Sequence, residues 1–93
     1  MTLTSKRRQE FKAQAHSLSP VVMIGDKGLT DNVMAEINIA LEAHELIKIK
    51  IAGAEKEVKQ EIADRICQKQ RCELVQMIGN IIVVYRMQMK KKK

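Results

Sequence analysis

The segment from Leu46 to Ala52 admits one kind of backbone. Ile47, Ile49 and Ile51 alternate with Lys48 and Lys50. Side chains two positions apart share a face of a strand, whereas on a helix they diverge. The spacing therefore predicts a strand with one isoleucine face to bury and a second face carrying Leu46, Lys48 and Lys50. Gly53 ends it. A strand with a dry face needs neighbours in a sheet and a layer to cover it. The remainder of a 93-residue chain must supply both, with Phe11 and Tyr85 as its aromatics and no Trp. A domain of this size buries roughly 60–65% of the surface its unfolded chain exposes. Its core is consequently built from Ile, Val, Leu, Met and Ala.

The flanking segments read as those neighbours and covers. Thr4 or Ser5 caps a helix reaching about His16, with Phe11, Ala15 and Leu18 as its apolar stripe. Pro20 stops it. Val21–Ile24 carries no charge and reads as a short buried strand, closed by Gly25-Asp26-Lys27-Gly28. Thr30 is the next N-cap, with Asp31 in the first turn. Val33, Ile37, Ala40, Leu41 and His44 then recur at helical spacing. Residues 54–70 form a third predicted helix, with Val58, Ile62 and Ile66 inward and Glu55–Lys59 and Glu61–Arg65 pairs outward. Glu73–Ile78 and Ile81–Arg86 are strands joined by the two-residue hairpin signal Gly79-Asn80. Ile81-Ile82-Val83-Val84 lacks polar alternation, which predicts a strand covered on both faces and placed inside the sheet.

The resulting order is α-β-α-β-α-β-β. It predicts a single compact α/β (α+β) domain over residues 1–88, a mixed four-stranded sheet packed against helices. Helical crossovers imply parallel, right-handed connections among the first three strands, and the hairpin adds an antiparallel partner. The strand order stays open. Residues 89–93, ending in Lys90–Lys93, read as a disordered basic tail.

Charge narrows the partners. The chain has 17 basic and 11 acidic residues, a formal net charge of +6. Lys6, Arg7, Arg8 and Lys12 cluster near the start against Glu10, and the stretch from Asp26 to Glu45 is acidic apart from Lys27. A basic balance favours a polyanion. The longest apolar run, Ile81–Tyr85, falls far short of the ~20 residues of a membrane helix. No apolar stretch follows the first charges, so a cytoplasmic protein is expected. Cys67 and Cys72 have neither redox-motif spacing nor nearby histidines, and are expected to be reduced thiols. No Ser/His/Asp set or paired carboxylates support an enzyme, and no metal, cofactor or small-molecule substrate is expected. His44 lies on an apolar register and reads as a partly buried histidine, and His16 as a helix-end dipole partner. Met23, Met34 and Met77 read as core filler.

One motif carries chemistry. Gly25-Asp26-Lys27-Gly28 sits between a strand and a capped helix. Two glycines let backbone approach another molecule closely and permit positive φ. Amides at a helix N-terminus favour a phosphate, and Lys27 adds a cation. KH domains clamp a nucleic-acid backbone with such a GXXG loop. The G-K-[ST] ending of a P-loop is absent. A plain turn and a phosphate-holding loop both fit these residues. Lys48 and Lys50 likewise fit a solvated strand face or an RNA platform. Phe11 reads as core, which leaves Tyr85 as the one candidate for base stacking, so recognition of RNA backbone and shape rather than of bases is expected.

The segment from Pro20 to Thr30, together with Ala43-His44-Glu45-Leu46-Ile47-Lys48-Ile49-Lys50-Ile51, resembles the CRM domain. This is the chloroplast RNA splicing and ribosome maturation domain, found alone in bacterial YhbY-like proteins. Gly79 to Tyr85 and Arg86 resemble that family's final hairpin, and the likeness runs from residue 2 to about 86. The resemblance implies the same order of elements, RNA as partner, and association with precursors of the large ribosomal subunit. It maps the family's loop onto Gly25, Asp26, Lys27 and Gly28 and its basic strand onto Lys48 and Lys50. Asp26 departs from a cation-friendly loop. Arg86 and the helix-one bases Lys6, Arg7, Arg8 and Lys12 extend the expected RNA contact of a protein that is a monomer when free. A structural or protein-interaction module with incidental charge, or a small DNA-binding protein, are the alternatives.

Overall fold

The computed structural model describes residues 3–53 and 55–87. The predicted tail at 89–93 lies outside them. In chain order the elements are α1 (Ser5–Ala15), β1 (Pro20–Ile24), α2 (Asp31–His44), β2 (Leu46–Ile51), α3 (Lys56–Gln70), β3 (Glu73–Ile78) and β4 (Ile81–Tyr85). Of the two candidates for the first cap, Thr4 serves and Ser5 begins the helix, and Thr30 caps α2 as expected. Thr4 Oγ1 accepts from the Arg7 amide at 3.1 Å, and Thr30 Oγ1 from the Val33 amide at 3.2 Å.

The four strands form one sheet in the order β1-β2-β4-β3. β1 runs parallel to β2, and β4 is antiparallel to both β2 and β3. The three strands linked by helices thus point the same way, as their crossovers predict, but β4 is inserted between β2 and β3. Its composition explains this. Ile82, Val83, Val84 and Tyr85 are all buried, and a strand dry on both faces is stable only between neighbours and between layers.

Those layers are α2 and α3 on one side and α1 on the other. Ile47, Ile49, Ile51, Ile82 and Val84 meet Ile37, Leu41, Ala63 and Ile66 in the larger cluster. Leu46, Val75, Val83 and Tyr85 meet Leu3, Phe11 and Ala15 in the smaller one. There Phe11 stacks on Tyr85 with ring centroids 4.2 Å apart. Arg8 ties α1 down, donating to the carbonyl oxygens of Leu74 and Val75. The β3–β4 register shifts between Leu74 and Gln76, and such an irregularity frees backbone acceptors for a side chain to satisfy.

Several side chains expected inside lie outside. β1 is an edge strand: Val22 and Ile24 are buried, but Val21 and Met23 are 51% and 60% exposed. α1 packs over β2 and β3, leaving that side of β1 open. Met23 is therefore not core filler, whereas Met34 and Met77 do pack against the core. Leu18 lies beyond the end of α1 and is exposed, as is Val58 in the first turn of α3. His44, in the last turn of α2, is exposed rather than partly buried. Lys59 reaches across to the hairpin turn, donating to Gly79 O at 2.7 Å and Asn80 Oδ1 at 3.3 Å. That turn rests on Gly79, whose φ is +55°. No helix among the described residues is long and apolar enough to cross a membrane.

The cap that starts α2 also ends the Gly25–Gly28 turn. Thr30→Ala should lower stability by about 1 kcal/mol, read as a fall in the urea midpoint at constant m-value.

Candidate nucleic-acid interface

β1 delivers the chain to the end of the sheet beside the end of β2, where Ile24 pairs with Ile51. The Ala52 amide donates to Ile24 O at 2.9 Å and pins the start of the loop. The Gly28 amide donates to Gly25 O at 3.0 Å, closing a four-residue turn, and the Thr30 amide donates to Gly28 O at 3.1 Å. Gly28 needs its residue type, because its φ is +72°. Gly25 does not: its φ is ordinary, and a Cβ there would meet nothing within 4 Å. Among the described residues, the Asp26 and Lys27 amides meet no acceptor and neither side chain has a partner. Asp26 does not cap Gly28, whose amide is committed to Gly25. The N-terminus of α2 begins just after this turn, behind the Thr30 cap, and a helix N-terminus carries partial positive charge.

The predicted basic residues separate into three groups. Lys12, Lys48 and Lys50 share the α1 side of the sheet. Lys12 and Lys48 line a groove of about 140 Å³ with His16, Gln76, Ile78 and Ile81. Lys48 is half-buried there, and Lys50 is exposed. The Gly25–Gly28 turn and Lys27 lie at the same end of the sheet, because Met23 pairs with Lys50. Lys6 and Arg7 stand at the other end of α1. Arg7 is exposed, 3.2 Å from Glu10, with its guanidinium 4.7 Å from the Phe11 ring centre.

Arg8 and Arg86 form the third group, turned inward. Arg8 holds α1 on β3, as above. Arg86 follows β4 and donates to Gln70 O at 3.1 Å, Gln70 Oε1 at 3.4 Å and Asn38 Oδ1 at 3.0 Å. Glu42 lies 3.6 Å from it, and the Arg86 side chain is 19% exposed. The guanidinium thereby joins the end of α3, the middle of α2 and the end of β4. Tyr85 is equally committed: it is 7% exposed and stacked on Phe11. Both aromatics are spent inside the domain.

Sequence patterning did not single out the side chains that flank Lys50. Register places Met23 beside Lys50, Lys50 beside Ile81, and Ile81 beside Ile78. These four lie in one row across all four strands, on the α1 side. Ile78 is 59% exposed. The signal was present in the hairpin itself: residues flanking a two-residue turn are paired and share a face.

The remaining reactive groups lie away from this face. A hydrogen bond from Cys72 holds the Cys67 thiol below its usual range, while that same bond and burial push Cys72 up. Both cysteines are free. No group of three or more His, Cys, Asp or Glu among the described residues could hold a metal ion.

The model of the CRS1/YhbY (CRM) domain matches residues 3–86. The chain belongs to the CRM domain family. An RNA-binding protein of Haemophilus influenzae is 52% identical over 85 residues, covering 91% of this chain and 86% of that protein. The protein named "Probable RNA-binding protein PA4753" of Pseudomonas aeruginosa is 43% identical, covering 92% and 83%. The solution structure of SAV1595 from Staphylococcus aureus superposes with a TM-score of 0.84 at 35% identity, covering 98% of this chain and 95% of that one. The turn, the lysines and the row of this CRM domain all fall inside the matched span.

Arg86→Ala should cost about 1–3 kcal/mol, since it strips the partner from the oxygens of the buried Gln70. Thermal unfolding of the variant checks this.

Proposed function

We propose that the protein binds RNA through the Gly25–Gly28 turn and the lysines beside it, as a free monomer in the cytoplasm and without catalysis. The observation that carries this reading is the turn itself. Its Asp26 and Lys27 amides are unused among the described residues, Gly25 is a glycine for no internal reason, and Lys27 stands unpaired. A phosphate fits that combination, since two open amides and a helix N-terminus supply donors without steric cost. Asp26 is exposed, and its carboxylate repels a phosphate, so in this reading its backbone amide and not its side chain makes the contact. Lys50, Lys48 and Lys12 continue the positive surface along the sheet. Arg8 and Arg86 support the fold that presents it.

The names of the relatives support RNA as the polyanion. The family resemblance points to precursors of the large ribosomal subunit. Sedimentation of cell extract through sucrose, probed for this protein, tests that association. Migration with large-subunit precursors is expected, and migration only with free protein would remove the ribosomal reading. Equal affinity for random duplex DNA would favour the DNA-binding alternative.

Gly25→Leu separates a plain turn from a phosphate-holding one. The substitution meets open space and ordinary φ, so stability should stay within about 0.5 kcal/mol. RNA affinity should fall, measured by filter binding. Gly28→Val is the less clean probe, because the left-handed conformation itself costs a side chain roughly 1–2 kcal/mol.

Changing Lys48 and Lys50 together to Gln should lower the slope of log affinity against log salt by between about one and two units. A folded double variant with an unchanged slope would remove this face from the RNA contact.

A further inference from the structure

We propose that the row Met23–Lys50–Ile81–Ile78 is a platform for unpaired RNA bases, which makes single-stranded RNA the preferred ligand. This rests on the RNA-binding reading above and deepens it. Met23 and Ile78 are 60% and 59% exposed, at opposite edges of the sheet. Large apolar side chains held this far into water on a structured sheet gain by being covered. Lys50 stands between Met23 and Ile81 in the same row. The row therefore reads apolar, cationic, apolar.

That alternation selects the occupant. A nucleotide strand offers apolar base faces and phosphates in alternation along its length. A protein docking on the row would have to bury Lys50 or supply a carboxylate to it. The adjoining groove adds Lys12, Lys48 and His16, with no carboxylate among the described residues that line it, so the surroundings favour a polyanion. Duplex RNA hides its base faces in the stack, whereas unpaired nucleotides can splay them onto a protein surface. Aromatic side chains usually provide that surface. Here Phe11 and Tyr85 are stacked on each other, and Met23, Ile78 and Ile81 are the apolar side chains left beside the lysines. The Gly25–Gly28 turn follows Met23 directly after Ile24, so a strand whose phosphate sits at the turn passes its next bases over the row.

The test uses Met23→Thr with Ile78→Thr in the full chain. Both sites are exposed, and threonine suits a strand, so the variant should melt like the wild type. Three probes are compared: a single-stranded oligoribonucleotide, the same length of ribose-phosphate backbone lacking bases, and a blunt RNA duplex. The wild type should prefer the base-bearing single strand to the abasic one by roughly tenfold, the scale of one stacked base. The double variant should lose that preference while keeping its salt slope, because every lysine remains. A 4-thiouridine in the strand should cross-link to the peptides containing Met23 or Ile78. A wild type that binds single-stranded and abasic probes equally, or a variant that retains the preference, overturns the platform and leaves the turn and lysines as the RNA site. A variant that retains the preference but leaves the large-subunit precursors shows that the row docks a protein, and also overturns it. A wild type that binds none of the three probes overturns the RNA reading itself.

Discussion

The burial of β4 on both faces is the constraint from which the architecture follows. Ile82 and Val84 face α2 and α3, and Val83 and Tyr85 face α1. A strand of this composition at an edge, or open on one side, would leave several of these side chains in water at roughly 25 cal/mol per Å² of apolar surface. Placing it between β2 and β3 removes that cost and demands a layer on each side. α1 is the cover for one of them, and its grip depends on Phe11 against Tyr85 and on Arg8 at the irregular start of β3.

The same arrangement decides where charge can be used. A small domain with few aromatics closes its layers partly with arginine. Arg8 and Arg86 act as multidentate donors to backbone oxygens, a task suited to the planar guanidinium. Lysines are left for the outside. Lys12, Lys27, Lys48 and Lys50 gather toward one end of the sheet because α1 stops short of β1 and because the β1–α2 turn emerges there. That end also holds the hairpin turn, which Lys59 braces from α3.

α1 thereby has two effects on one face. It seals the middle of the sheet, and by ending at Ala15 it leaves Met23, Lys50 and Ile78 exposed, with Ile81 partly buried at its margin. Exposed apolar residues next to lysines are a consequence of helix length as much as of strand sequence.

Local patterning determined a great deal. Periods of two and of about 3.6, two threonine caps and the Gly79-Asn80 turn were enough to place all seven elements, because each of these signals acts within a few residues. The interior position of β4 was also legible, since an unbroken apolar strand has one stable location. The strand order was not, because the pairing of β4 with β2 is a contact between distant segments that no local period records. Val21 and Met23 looked buried because an uncharged strand reads alike at the edge and the centre of a sheet. Of the candidate site, the Gly25–Gly28 turn and the Lys48–Lys50 face could be read directly from residue type and spacing. The division of the basic residues could not. Arg8, Arg86 and Lys50 are equally cationic in sequence, and only the tertiary structure turns two of them toward backbone oxygens and leaves the third in solvent, because that choice depends on which carbonyls the packing leaves without partners.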